Sequence, residues 1–532
     1  MFHKAVLSKR FSKIVLKLKT LDNSKQFTQS RNGIRKGGVG TPTFLSLHLF
    51  FNVGGVFLLY INGEWTKSNN GTFEVFNPAT GERLDNVADG TREDTKRAIS
   101  AAEEAFTSWS SLTAFQRSDY LYRVYGLMIE KKEHLAETMT KEQGKPIKAA
   151  RNEVQYAADF LLWYAEEAKR VYGEVLPAPR GDQRFIVLRQ PVGVVGAITP
   201  WNYPISMLTR KIAPALAAGC TIVLKPAEQT PICAIETVKL FHEAGVPKGV
   251  VNLIPTSNPN EVGDELLTNE TVKKITFTGS TEVGKMIAEK AARQVKRVSM
   301  ELGGHAPFIV FPDADPVHAA KGASLVKFLN TGQACISPNR IFVHKSIVDS
   351  FTKTLVERVN RMKAGNGLED GISIGPLVDE AALEKVSHQV NDAREKGADV
   401  VAGGIRLEDE HLKNGYFYAP TVLTNVSTDM QIYREETFGP VAPIITFESL
   451  DEVIEMANDT NYGLASYVYT NDMKTAVQAF EKLRFGIVGI NDINPTAAAA
   501  PFGGMKESGI GREGGKEGIL EYLDTKLGGF SI

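Results

Sequence analysis

Apolar residues recur at spacings of three and four through residues 94–149, as in Ala98-Ala101-Ala102-Ala105 and Leu121-Val124-Leu127-Met128. That period predicts helices packing one face on a core. Residues 153–171 continue it, and after a turn bearing Pro177 and Gly181 a strand is expected over 184–190. The pattern then changes. Four short, continuous apolar runs, 192–199, 221–225, 250–254 and 274–278, alternate with helical stretches at 206–218, 232–244 and 283–294. Uninterrupted runs bounded by turn residues suit strands buried on both faces, and strands alternating with helices predict a doubly wound parallel sheet. After residues 300–337 the alternation resumes with a strand at 341–343, helices at 348–364 and 380–396, and strands near Val400 and Val422. The fold class is therefore α/β, with two units.

Length agrees. The chain has 532 residues, beyond the roughly 250 to 300 that one hydrophobic core serves. Its charge is nearly balanced but unevenly placed: residues 1–55 hold ten Lys or Arg and one acid, Asp22, leaving 51 basic and 61 acidic residues beyond. An acidic body offers no basic face for phosphate backbones, so nucleic acid is not expected as a partner. Residues 1–35, basic and Ser/Thr-bearing, fit a mitochondrial transit peptide, and 44–61 is apolar enough to be weighed as a membrane span. Ser46, His48 and Asn52 interrupt that run, and neither a membrane association nor a cleaved leader is the preferred expectation. An extension over 1–55 that is disordered, or untranslated because initiation occurs near Leu59, is preferred, with a cytoplasmic location; a mitochondrial matrix location is the alternative. Three cysteines, Cys220, Cys233 and Cys335, imply no disulfide framework. Nine histidines show neither HExxH nor a Cys-His cluster, so no metal site is expected.

The chemistry concentrates between Met300 and Ser337. Met-Glu-Leu-Gly-Gly-His-Ala-Pro stands at one end and Asn-Thr-Gly-Gln-Ala-Cys-Ile-Ser at the other. Cys335, between small residues, can act as a nucleophile if its surroundings favour the thiolate, although a lone cysteine is more often a small buried hydrophobe. Glu301 offers a base, and the glycines after it let the backbone pass close to a ligand. Thr199-Pro200-Trp201-Asn202-Tyr203-Pro204 follows one buried strand, where Asn202 can either cap the next helix or present an amide over a pocket. Lys225-Pro226-Ala227-Glu228 follows another, and Phe277-Thr278-Gly279-Ser280-Thr281-Glu282-Val283-Gly284 links a strand to a helix. The amino terminus of that helix can receive a pyrophosphate.

Glu-Leu-Gly-Gly at 301–304 and Gly-Gln-Ala-Cys at 332–335 resemble the two active-site signatures of the aldehyde dehydrogenase superfamily, and the resemblance runs from about Tyr60 to the C-terminus. It implies a Rossmann-type NAD-binding domain over 56–174 and 193–301, a second α/β catalytic domain over 302–495, and oligomerisation elements at 175–192 and 509–532 that join a homodimer or homotetramer. It also implies oxidation of a small-molecule aldehyde: Cys335 attacks the carbonyl, Asn202 steadies the oxyanion, and Glu301 activates the water that releases the acid. Carried over from the motifs, Trp201, Lys225, Glu228, Gly279, Ser280, Gly284, Leu302, Glu436 and Phe438 would hold NAD. Glu228 beside the adenosine ribose disfavours the 2′-phosphate of NADP without excluding it.

Two rival readings stand beside this one. A coenzyme A-acylating relative needs no water-activating base, so Glu301 speaks against it; a catalytically silent scaffold is disfavoured by Cys335, Glu301, Asn202 and Lys225 together. Within the superfamily, Glu142-Gln143-Gly144-Lys145-Pro146, Tyr164-Ala165-Glu166-Glu167-Ala168 and Leu208-Thr209-Arg210-Lys211 most resemble succinate-semialdehyde dehydrogenases, with Arg210 as the residue to bind a distal carboxylate. Leu329 stands where that group commonly has an arginine, and Ser337 replaces a second cysteine. A broad-specificity aldehyde or hydroxyaldehyde enzyme is the alternative, and a buried ion pair is the plainer role for Arg210.

Overall fold

A computed structural model describes residues 56–532; the expectations for residues 1–55 lie outside that range. Two parallel sheets dominate. In the first, Arg297–Glu301, Val272–Thr278, Val194–Ile198, Thr221–Lys225 and Val251–Leu253 run parallel in that spatial order. Antiparallel strands finish its edges, Gly509–Ile510 at one side and Leu59–Ile61 with Glu64–Thr66 at the other. The second contains Asp399–Ala402, Thr421–Thr424, Val441–Phe447, Pro338–His344, Ala306–Val310, Ala465–Tyr469 and Ile487–Ile490, all parallel except the first. The inner strands are almost wholly buried, as continuous apolar runs require when both faces are covered.

The region expected to be helical over 94–149 is divided. Helices Arg92–Ser110 and Ala114–Glu130 each begin with a reciprocal cap, Thr91 with Asp94 and Thr113 with Gln116, which satisfies first-turn N–H groups that would otherwise be orphaned. Helix Lys132–Gln143 ends at Gly144, whose positive φ of 89° stops it. The bend aims helix Ile147–Glu167 at helix Ser206–Ala218, which is buried along its whole length. Strands Glu174–Leu176, Gln183–Pro191 and Leu523–Ser531 form a separate antiparallel sheet, so the two segments expected to serve oligomerisation lie side by side. Val175, Ile186, Leu188, Leu527 and Phe530 are exposed on it. Among the described residues no helix is long and apolar enough to cross a membrane, and no cluster of His, Cys, Asp or Glu is placed to hold a metal ion.

Candidate active site

Cys335 lies in a loop between helix Pro316–Lys327 and strand Pro338–His344, and the loop is tightly determined. Asn330 and Thr331 have φ of 49° and 58°, a region costly for residues with a Cβ unless the surroundings enforce it. They do so here. Thr331 Oγ1 donates to the Gly375 carbonyl at 3.1 Å and accepts from the Gly375 N–H at 3.0 Å, Gln333 Nε2 donates to Pro376 O at 3.2 Å, and Gln333 Oε1 accepts from Val378 N at 3.0 Å. On the opposite side the Asn202 loop is stapled to the same turn. Asn202 Nδ2 donates to Gln333 O at 3.2 Å and Asn330 Nδ2 donates to Asn202 O at 3.0 Å. The helix after Asn202 has no side-chain cap. Its Oδ1 accepts from Tyr203 N at 3.1 Å, leaving one amide hydrogen of two uncommitted. Asn202 therefore presents a donor beside the cysteine loop instead of capping.

Glu301 ends strand Arg297–Glu301 and is buried, and neither of its carboxyl oxygens completes a hydrogen bond to protein. Burial is the main force raising its pKa to about 7, opposed by Arg210 and by the Cys335 thiol it faces. The thiol in turn is held well above its ordinary value, first by desolvation and then by the Glu301 charge. The pair thus rests with its proton retained. Gly304 permits this approach: a Cβ there would stand 2.1 Å from the Cys335 carbonyl oxygen.

Two cavities meet at these residues. One, of about 370 Å³, is lined by Asn202, Glu301, Leu302, Cys335, Glu436 and Phe438, among others; the second, of about 320 Å³, reaches Lys225, Glu228 and Val283. They share Pro200, Trp201, Thr278, Gly279 and Ser280, at the carboxyl ends of parallel strands and the amino terminus of helix Thr281–Ala292. A dinucleotide fits this arrangement: two chambers for its halves, joined where free N–H groups and the helix dipole favour pyrophosphate. Lys225 Nζ and Glu228 Oε2 lie 3.1 Å apart at the far chamber. Glu436 crosses from the second sheet, its Oε1 accepting the Gly304 N–H at 2.9 Å. Burial raises its pKa to about 7 as well, and Lys385 opposes the rise. Phe438, with φ of 54°, meets the Trp201 ring edge-on at 5.6 Å.

Gly284 and Arg210 take different places. A Cβ on Gly284 would meet the Leu302 side chain at 2.4 Å, and Gly284 lines neither chamber, so this glycine serves helix packing. Arg210 does not line the chamber of Cys335. Its Nε lies 3.0 Å from Glu513 Oε2, and its guanidinium lies 4.1 Å from the Phe502 ring centroid. Lys211 shares the same carboxylate at 2.5 Å. The plainer ion-pair role describes what is seen, although Arg210 Nη2 is buried without a partner. Sequence reasoning missed Lys385, which faces Glu436 across the chamber, and it missed Asn330 and Gln333, which fix the nucleophile. Position beside the Cys335 motif was the available signal for the latter two.

The sequence pattern of the Aldehyde dehydrogenase family matches residues 65–527. The chain is 50% identical over 468 residues to the glutarate-semialdehyde dehydrogenase of Pseudomonas putida, an alignment covering 88% of this chain and 96% of that one. It is 48% identical over 467 residues to the NADP(+) succinate-semialdehyde dehydrogenase of Escherichia coli, with 88% and 96% covered. Among solved structures, a succinate-semialdehyde dehydrogenase from Burkholderia pseudomallei superposes with a TM-score of 0.87 at 46% identity, covering 89% of this chain and 98% of that one.

Proposed function

The chain belongs to the aldehyde dehydrogenase family and oxidises an aldehyde to the carboxylic acid with NAD(P), and we propose that its substrate is a short semialdehyde with a distal carboxylate, succinate semialdehyde foremost. Cys335, its proton given up to solvent, attacks the carbonyl carbon as the thiolate. The amide hydrogen left free on Asn202, with the Cys335 backbone N–H, stabilises the oxyanion. Bound in the two chambers, the dinucleotide supplies the hydride acceptor. Trp201, Lys225, Glu228, Gly279, Ser280, Leu302, Glu436 and Phe438 are the residues that hold it, and residues 56–174 with 193–301 form its domain. The acyl group is left as a thioester on Cys335, and Glu301, deprotonated, draws a proton from water to release the acid. The observation that carries the mechanism is the packing of Glu301 against the Cys335 thiol beside an uncommitted Asn202 amide.

The substrate rests on the relatives and on Arg210, a buried cation with a free Nη2 near the site. A second reading, a broad-specificity or hydroxyaldehyde enzyme, is favoured by Leu329, which supplies no second cation, and by Glu513, which already neutralises Arg210. Steady-state rates over four- and five-carbon semialdehydes, hydroxyaldehydes and aromatic aldehydes, each with NAD and NADP, decide the matter. Highest kcat/KM on the carboxylated substrates is expected, and equal values on uncharged aldehydes of similar length select the second reading. The apolar antiparallel sheet Glu174–Leu176, Gln183–Pro191 and Leu523–Ser531 is the surface through which copies associate as a dimer or tetramer, which light scattering measures. A cytoplasmic location is preferred to the mitochondrial matrix, and imaging of the full chain carrying a C-terminal tag tests it.

A further inference from the structure

The loop that carries Asn202 is anchored from beneath by a buried ion pair for which the mechanism has so far no use. Lys145 stands in the turn between helices Lys132–Gln143 and Ile147–Glu167, Glu153 on the second helix, and both side chains are almost fully buried. The ammonium is bonded to Glu153 Oε2 and also donates to Asn202 O at 2.7 Å, above the Tyr203 ring, whose centroid is 4.0 Å away. The other carboxylate oxygen of Glu153 accepts from Ile205 N at 3.0 Å and Ser206 N at 3.2 Å, the opening of helix Ser206–Ala218. One pair thus grips both ends of the Asn202 loop. The turn that supplies Lys145 is itself wedged: a Cβ on Gly375 would stand 2.2 Å from the Gly144 carbonyl oxygen. Gly375 is also the residue that holds Thr331 in the nucleophile's loop.

Burying two charges costs several kcal/mol per ion and is commonly matched or bettered by apolar residues of like volume. Stability alone is thus a weak account of the pair, whereas position is a strong one. Asn202 has a single amide hydrogen to offer, and a displacement of about 1 Å in such a donor is worth about 100-fold in rate. We propose that Lys145, braced by Glu153, is a positioning residue for the oxyanion donor, holding the Asn202 carbonyl so that the free amide hydrogen points at the developing charge. This rests on the aldehyde-oxidising mechanism above and acts on acylation, with no part in binding the dinucleotide.

The test uses the full chain with Lys145→Met, Asn202→Ala, the two combined, and Lys145→Met/Glu153→Leu, which removes the charges as a unit. NADH burst rate, discharge of the acyl enzyme, NAD binding by tryptophan quenching and Tm are measured on each. Lys145→Met is expected to slow the burst by about 10- to 100-fold with NAD binding unchanged, and to add no more than about two-fold in the Asn202→Ala background. The charge-free pair is expected to regain Tm yet acylate slowly, and it carries the test if Lys145→Met alone does not fold. Full additivity of Lys145→Met with Asn202→Ala, or a charge-free pair that acylates at the wild-type rate, overturns the inference and leaves the mechanism standing. A wild-type burst from Asn202→Ala removes the oxyanion role of Asn202 and the inference with it.

Discussion

Replacing Glu301 by Gln separates the two halves of the reaction and carries a stability signature of its own. The carboxyl has a pKa raised from 4.5 to about 7, chiefly by burial. A carboxyl raised on folding contributes stability that is fully present below its unfolded value and lost as pH rises through its folded value, so the loss runs between about pH 4.5 and 7. At 1.36 kcal/mol per unit it reaches about 3 kcal/mol above pH 7. Glutamine, which resembles the protonated acid, avoids that loss. Glu301→Gln is therefore expected to be more stable than wild type at pH 8 by up to about 3 kcal/mol, with the difference shrinking towards pH 5 in denaturant titrations. Kinetically it is expected to keep a stopped-flow burst of NADH while acyl-enzyme discharge slows about 100- to 10,000-fold, the usual worth of a general base. In the wild type, discharge should rise with pH through about 7, because only the carboxylate can take the proton from water, and the variant should lose that limb. Burst and steady state falling together, or a variant less stable than wild type at pH 8, would refute the reasoning.

Cys335→Ala is expected to abolish oxidation while NAD still binds, since the thiol bonds only to substrate; calorimetric titration with NAD and a turnover assay check both, and residual turnover above a few per cent of wild type counts against the assignment. Glu228→Ser is expected to raise the NADP-to-NAD ratio of kcat/KM by removing like charge from the 2′-phosphate and freeing Lys225, and an unchanged ratio places Glu228 away from the ribose. Arg210→Leu is expected to raise KM for succinate semialdehyde about 10-fold, the lower end for a charge-assisted contact, because Glu513 already draws on the guanidinium; equal losses on charged and uncharged aldehydes assign Arg210 to structure.

Four of the five parallel strands of the first sheet were legible as short apolar runs between turn residues, and strand Thr221–Lys225 and helix Ser206–Ala218 fall where the pattern put them, whereas Arg297–Glu301, which reads Arg-Val-Ser-Met-Glu, gave no such run. Four of the seven strands of the second sheet were not legible. Strands Ala306–Val310 and Val441–Phe447 contain Pro307 and Pro443, which demote a run in any reading that expects proline only at strand edges. The site divides the same way. Cys335 and Glu301 stand in recognisable local motifs, whereas Lys145 acts through Glu153 and Asn202, and Arg210 through Glu513, partners that only the fold brings near. The ion pair expected as the plainer role of Arg210 had no partner that the sequence could name, because the carboxylate that answers it lies some 300 residues later in the chain.

The protonated thiol has a further consequence, for the durability of the resting enzyme. Peroxides and alkylating agents attack thiolate far faster than thiol, so a nucleophile kept protonated by burial and by the Glu301 charge is shielded from them between turnovers. The protection is one of rate only. All three cysteines are free, Cys220 and Cys233 are buried, and the position two residues after the nucleophile is Ser337, whose hydroxyl donates to Lys327 O at 3.2 Å. A sulfenic acid formed at Cys335 therefore has no adjacent thiol in the chain to trap it as a disulfide, and its repair depends on a thiol small enough to enter the chamber that the aldehyde uses.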